Sequence, residues 1–211
     1  MDLTQAIVLG IVQGATEFLP VSSTAHMRIV PSLLGWPDPG AAFTAVIQLG
    51  TLAAVFVYFR GDLARAFSAW VRSFYDTKAR RSPDGRMGWA IFVGTIPIML
   101  AGVIFKDEIR SQSVRSLYVV SWALIAMGLL LAAADRLARH RRRVESTGIG
   151  DGLWVGLWQA IALVPGASRS GSTITGALFA GFDRAAAARF SFLLSVPSIF
   201  AAAAISLYDE R

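Results

Sequence analysis

The chain alternates between long uncharged runs and short polar stretches. Four runs contain no Asp, Glu, Lys or Arg, and each would span about 28 Å as a helix, close to the thickness of the hydrocarbon core of a bilayer. The four runs are Ala41–Phe59, Met87–Phe105, Ser116–Ala134 and Phe190–Tyr208. This pattern predicts an all-α integral membrane protein, a helical bundle with about four full spans.

Two further apolar regions are too short for a simple span. Leu3–Thr16 and Gly152–Ser168 run into polar residues, and second short apolar pieces follow around Ile29–Trp36 and Thr173–Phe182. A helix, a polar break and a return helix together describe a re-entrant hairpin. Because non-helical backbone at membrane depth is tolerated only where it is buried in protein or lines a wet cavity, we expect the two breaks to face each other inside the bundle.

The two polar breaks are laid out as a repeat. Gly10–His26 and Gly156–Thr173 each open with Gly-x-x-Gln, continue through apolar residues to a proline, and then enter small hydroxyl residues. Polar clusters in matched positions are typical of one site built from two halves. The prediction is a single membrane domain over residues 1–211, with a first repeat over about 1–105 and a second over about 150–211.

Charge adds an orientation to this picture. The chain is 55% hydrophobic and carries a net charge of +6, with seven basic residues in Arg60–Arg86, five in Arg136–Arg143 and three in Lys106–Arg115. The positive-inside rule places the first two stretches, interpreted as loops, in the cytoplasm and the third outside. Three crossings then separate the two hairpins, which gives the repeats opposite topology. The basic residues are not interleaved with stacking aromatics, so nucleic-acid binding is not expected.

The first polar cluster combines a carboxylate, an imidazole and hydroxyls. Gln13 and Glu17 are four positions apart and share a helix face, and a proline break separates them from the other polar residues of the cluster. Those residues are Ser22, Ser23, Thr24 and His26.

The second cluster places Arg169 among small hydroxyl residues. Small residues let backbone N–H groups approach an anion, a following helix N-terminus adds a favourable dipole, and the guanidinium fork suits phosphate oxygens. An arginine that only snorkels to the interface or pairs with a structural carboxylate is the alternative. The expected phosphate-binding residues from both clusters are Ser22, Thr24, Ser168, Ser170 and Thr173.

Together the clusters suit phosphoryl transfer, with Glu17, Ser23, His26 and Arg169 as the catalytic residues. Ser23 is favoured as nucleophile, with His26 and Glu17 handling protons, and His26 as nucleophile is the competing assignment. We expect Glu17 and Gln13 to hold a divalent cation such as Mg²⁺ or Ca²⁺ together with substrate oxygens. The alternative is that Glu17 only pairs with Arg169.

These two motifs resemble the signatures of bacterial undecaprenyl pyrophosphate phosphatases of the bacitracin-resistance type, and the similarity runs along essentially the whole chain. The resemblance implies an inner-membrane, divalent-metal-dependent enzyme that removes the terminal phosphate of a polyprenyl diphosphate lipid and so recycles the carrier of cell-wall synthesis. We also expect a site that opens to the periplasmic side, where the first hairpin enters, and a homodimer. Family members usually continue through two more membrane helices after the segment matching Phe190–Tyr208, whereas this sequence stops at Arg211.

A non-enzymatic alternative stays open. Inverted re-entrant repeats are also transporter architecture, and Glu17, His26 and Arg169 could bind and move an anion or a phosphorylated lipid. Release of phosphate from a lipid diphosphate distinguishes the enzyme from a pure transporter or flippase.

Overall fold

The computed structural model describes residues 1–111, 114 and 116–209, and every regular element within them is a helix. The described residues form eleven α-helices and one 3₁₀ turn, Val144–Ser146. In chain order the α-helices are α1 (Leu3–Phe18), α2 (Ser23–Leu33), α3 (Gly40–Tyr58), α4 (Arg60–Arg72), α5 (Thr77–Arg81), α6 (Pro83–Ile104), α7 (Lys106–Arg110), α8 (Leu117–Leu137), α9 (Ile149–Ile161), α10 (Arg169–Phe179) and α11 (Arg184–Asp209).

The length and composition of these helices agree with a membrane protein. Within the described residues, α6 and α8 are each long and apolar enough to cross a bilayer, and the bent pair Val46–Tyr58 and Arg60–Arg72 would count as a third span if it crosses as one unit. The fourth predicted run, Phe190–Tyr208, falls within α11, and its side chains from position 202 onward lie outside the description. The all-helical membrane class is confirmed, and the number of four full spans stays a prediction.

The structure adds helices to two stretches that were interpreted as loops. The basic stretch Arg60–Arg86, predicted as a loop, forms α4, α5 and the first turn of α6. Ala66 and Ala69 are buried in α4 at helical spacing. The sequence pattern did not predict this buried face, because the arginines of the same stretch dominate its composition. The predicted outer loop Lys106–Arg115 begins with the short helix α7, and residues 112, 113 and 115 lie outside the described residues.

The helices α6 and α9 cross at backbone contact. A Cβ atom on Gly156 would lie 2.4 Å from the carbonyl oxygen of Gly94, and one on Gly152 would lie 2.3 Å from that of Ala90. The amide nitrogen of Gln159 also donates to the Gly94 carbonyl, at 3.3 Å. Small residues of this kind let membrane helices approach closely, because lipid provides no hydrophobic force between them. This crossing packs α9 of the second hairpin against α6, the last helix of the first predicted repeat.

The core lies around the second hairpin. Phe182, Phe190 and Leu194 are fully buried there, while α1 of the first hairpin exposes Leu3 and Ile11. A polar cluster that follows α8 in the chain contacts this core.

That cluster is centred on Arg142. Its guanidinium donates two bonds of 2.7 Å to Asp151 at the start of α9, and it lies 4.3 Å above the ring of Phe182. The Asp151 carboxylate raises the pKa of Arg142, because it hydrogen-bonds and pairs with the charged form. The arginine therefore connects α8, α9 and the turn before α11.

Candidate active site

The tips of the two hairpins have the same local conformation. Ser22 (φ 65°) and Ser168 (φ 57°) both have positive φ, which is uncommon outside glycine. Each is the N-cap of a return helix of 11 residues, and its hydroxyl accepts the backbone N–H of Ala25 (3.4 Å) or Gly171 (3.1 Å). These caps satisfy helix N–H groups immediately after the break. The return helices therefore begin earlier than the apolar pieces around Ile29 and Thr173 had indicated.

The two tips meet through a buried ion pair. The Arg169 guanidinium, on the second tip, donates to Glu17 Oε1 on the first. Ser170 Oγ also lies 3.4 Å from the Leu19 carbonyl oxygen. A buried carboxylate is tolerated when it is paired and hydrogen-bonded, and Glu17 is only 8% exposed. The two polar breaks, far apart in sequence, form one site.

Glu17 is the centre of a short hydrogen-bond network. Its Oε2 atom accepts from Ser23 Oγ at 2.7 Å and from Gln13 Nε2 at 3.0 Å. The Ser23 hydroxyl therefore has a carboxylate base within hydrogen-bond distance, which is the arrangement that a serine nucleophile needs. Of the two groups expected to handle the proton of Ser23, the structure places Glu17 in direct contact.

His26 is held by the backbone of the same tip. Its Nδ1 atom lies 2.9 Å from the Ser22 carbonyl oxygen. Since a carbonyl oxygen only accepts, Nδ1 carries the proton in the neutral ring and Nε2 has the free lone pair. The side chain is not among those that line the cavity between the tips.

A polar cavity of about 190 Å³ lies between the tips. Residues at the start of both return helices line it, so two helix N-termini meet at one place, and their dipoles favour an anion. Seven of the predicted site residues line this cavity: Glu17, Ser22, Ser23, Thr24, Ser168, Arg169 and Ser170.

Thr173 occupies a different position. Its hydroxyl lies 2.8 Å from the Arg169 carbonyl oxygen and 2.5 Å from Ser191 Oγ, and the residue is 1% exposed. The side chain therefore connects the first turn of α10 to α11 and does not line the cavity. Its predicted role in phosphate binding stays a prediction.

Three polar cavity residues were missed by the sequence reasoning. Thr16, Gln48 and Ser198 line the cavity beside the predicted residues. Gln48 and Ser198 each lie within one of the long uncharged runs, where a polar side chain is a signal of an interior position. Ser198 Oγ also donates to Gln159 Oε1 at 3.1 Å, which connects α11 to α9.

Gln13 provides a free oxygen next to the site. The residue is 2% exposed, and its Oε1 atom has no hydrogen-bond partner among the described residues. The amide cannot be reversed, because its nitrogen faces the Glu17 carboxylate, which only accepts. A buried amide oxygen beside a carboxylate fits the oxygen donors that Mg²⁺ and Ca²⁺ prefer. Among the described residues there is no group of three or more His, Cys, Asp or Glu side chains that could hold a metal alone.

These features define a class: an all-helical membrane protein whose paired hairpin tips enclose a cavity lined by an arginine, two helix N-termini and a serine hydroxyl beside a carboxylate. The family model described as "Bacitracin resistance protein BacA" matches residues 6–211, and the chain belongs to this family. An undecaprenyl-diphosphatase of Chlorobium chlorochromatii (strain CaD3) is 52% identical over 218 residues, covering 100% of this chain and 77% of the relative. Undecaprenyl-diphosphatase 2 of Streptomyces coelicolor is 49% identical, covering 99% of this chain and 76% of its own length.

Proposed function

We propose that this protein hydrolyses undecaprenyl diphosphate to undecaprenyl phosphate and inorganic phosphate. The reaction recycles the lipid carrier of cell-wall synthesis and confers resistance to bacitracin. Membership of the BacA family and the names of the relatives support this assignment. The observation that carries it is the shared carboxylate of Glu17, which contacts both the anion-binding Arg169 and the Ser23 hydroxyl.

The diphosphate binds between the hairpin tips. Arg169 and the N-termini of α2 and α10 contact the oxygens of the terminal phosphate, and the hydroxyls of Ser22, Thr24, Ser168 and Ser170 complete the contacts. The substrate competes with Glu17 for the Arg169 guanidinium, because both are anions. Binding therefore weakens the Glu17–Arg169 pair and leaves the carboxylate free to act as a base.

The terminal phosphorus is then attacked by Ser23 Oγ while Glu17 takes the hydroxyl proton. The bond from phosphorus to the bridging oxygen breaks, and its electron pair leaves with undecaprenyl phosphate. Glu17 gives this proton to the departing undecaprenyl phosphate and is again a carboxylate. In a second step Glu17 takes a proton from the water that attacks the phosphoserine, and the bond from phosphorus to Ser23 Oγ breaks. Ser23 Oγ takes that proton back from Glu17, and inorganic phosphate is released. Arg169 and the two helix N-termini stabilise the charge that spreads over the phosphoryl oxygens in both steps.

A divalent cation belongs to this proposal. The unpartnered Gln13 oxygen and the Glu17 carboxylate would hold it together with substrate oxygens. When bound, such an ion neutralises charge on the diphosphate. With so few protein ligands, binding of the ion requires substrate.

We place the protein in the bacterial inner membrane, with inverted repeats and a site that opens to the periplasmic side. The excess of basic residues in Arg60–Arg86 and Arg136–Arg143 supports this orientation. A homodimer is part of the proposal and is tested by light scattering of the detergent-solubilised protein.

Phosphate release tests the function. Purified protein with undecaprenyl diphosphate should liberate inorganic phosphate, and Ser23→Ala should abolish release. The control is Ser68→Ala, which removes an exposed hydroxyl of α4 and should retain full activity. Binding or movement of the lipid diphosphate without phosphate release would favour a transporter or flippase instead.

A further inference from the structure

Helix α4 has three distinct faces. It leaves α3 at a bend of 77°. Ala66 and Ala69 are buried, Phe67 (65% exposed) lies on an exposed apolar face, and Arg72 lies on an exposed polar face. A helix with one face on its own protein, one apolar face outward and one charged face is typical of an element that lies in the membrane–water interface.

The angle between α3 and α4 encloses a large apolar groove. Its volume is about 1090 Å³, and its walls come from α3, α4, α6 and α11. Aromatic side chains form much of the surface, including Phe56, Phe67, Phe92 and Phe200. Arg60, at the corner between α3 and α4, is the one charged residue among the described residues that line the groove.

The Arg60 guanidinium has no ion-pair partner among the described residues. Its Nη1 atom donates to the Val57 carbonyl oxygen at 3.2 Å, and within the described part of the chain no carboxylate lies in ion-pair range of its guanidinium. The nearby carboxylates are used elsewhere: Asp62 pairs with Arg65 and Arg189, and Asp84 lies 3.9 Å from Arg65. The corner of the groove therefore carries uncompensated positive charge.

We propose that this groove binds an anionic phospholipid, with acyl chains against the aromatic wall and the headgroup phosphate on Arg60. A charged phosphate satisfies the guanidinium, and the acyl chains cover the exposed apolar face of α4. An apolar helix of a second copy would instead leave the arginine charge buried and unpaired, which is unfavourable. A zwitterionic phospholipid carries an ammonium group that competes with Arg60 for its own phosphate.

Fluorescence quenching by brominated lipids tests the proposal directly. The chain has no cysteine, so Phe67→Cys can be labelled with a fluorophore at the groove alone. In nanodiscs, phosphatidylglycerol brominated on its acyl chains should quench this label more strongly than brominated phosphatidylcholine at the same mole fraction. The preference should be about fivefold in apparent affinity, the contribution of one basic residue at an anionic lipid surface.

Matched variants separate the site from general surface charge. Arg60→Gln in the labelled protein should remove the preference, whereas Arg72→Gln, at the other end of the same helix, should preserve it. Equal quenching by both lipids would overturn the proposal in favour of unspecific lipid contact. Quenching by neither would show that protein, such as a second copy, covers the groove. Displacement of phosphatidylglycerol by undecaprenyl phosphate would assign the groove to the polyprenyl chain and would also contradict the proposal.

Discussion

At the residue scale, the assignment of the nucleophile depends on two short contacts. Ser23 donates to Glu17, whereas His26 contacts the Ser22 carbonyl oxygen and does not line the cavity. A hydroxyl with an adjacent carboxylate base can be activated in place. The histidine is oriented with its Nε2 lone pair free, so it is the specific competitor.

Trapping of the phosphoenzyme should therefore give a phosphoserine. Substrate labelled with ³²P on the terminal phosphate, quenched during turnover, should yield an acid-stable and base-labile adduct that is lost in Ser23→Ala. An acid-labile, base-stable adduct that persists in Ser23→Ala and disappears in His26→Ala would assign the nucleophile to histidine.

A second prediction at this scale concerns the divalent cation that the unpartnered oxygen of Gln13 would help to hold. Chelation with EDTA should abolish phosphate release, and added Mg²⁺ or Ca²⁺ should restore it. Gln13→Leu removes the free oxygen and should raise the cation concentration that gives half-maximal activity by about 10-fold, within the range typical when a contact to a metal site is lost. Strong EDTA-resistant activity, or an unchanged cation dependence in Gln13→Leu, would remove the metal from the mechanism.

At the scale of elements, one sequence repeat gives two different environments. Gly10 and Gly156 hold matched positions in α1 and α9. A Cβ atom on Gly10 meets no atom of the described residues within 4 Å, whereas one on Gly156 would lie 2.4 Å from the backbone of α6. Within the described residues, a glycine at this repeat position is thus required for a close contact in the second hairpin and not in the first.

This difference predicts opposite effects of one substitution. Gly156→Ala should destabilise the protein by about 1–3 kcal/mol, because the backbones of α6 and α9 must separate. Gly10→Ala should be neutral or stabilising by up to about 1 kcal/mol, because alanine favours the helix more than glycine does. Thermal unfolding in detergent measures both, and a similar change in the two variants would contradict the close crossing.

The sequence pattern predicted the elements better than their junctions. Uncharged runs identify the apolar helices because a bilayer penalises charge, and the Gly-x-x-Gln repeat identified both hairpin tips. The same pattern missed α4, where arginines mask a buried face of small residues. It also missed Gln48 and Ser198, because their role depends on which side of a helix faces the cavity. The contact of Thr173 with Ser191 of a distant helix could not be predicted either, because no local pattern shows it.

At the scale of the whole molecule, the distribution of basic residues predicts the orientation in the membrane. Single cysteines at the exposed positions Lys78 and Glu108, on α5 and α7, should react with a membrane-impermeant thiol reagent from opposite sides, with Lys78 on the cytoplasmic side. The absence of native cysteines makes the background low. Reaction of both positions from one side would contradict the proposed topology.

The central claim is that two distant hairpin tips act as one catalytic site. Phosphate release by Glu17→Gln, Arg169→Lys and the double variant tests it most directly, on protein shown to be folded by size-exclusion chromatography. Each single change should lower the rate by about 10²–10³, the usual cost of losing one oriented charged contact. Because residues that act as a unit are not additive, the double variant should be no slower than the slower single variant. Losses that multiply, or near-normal release by Arg169→Lys, would contradict the account.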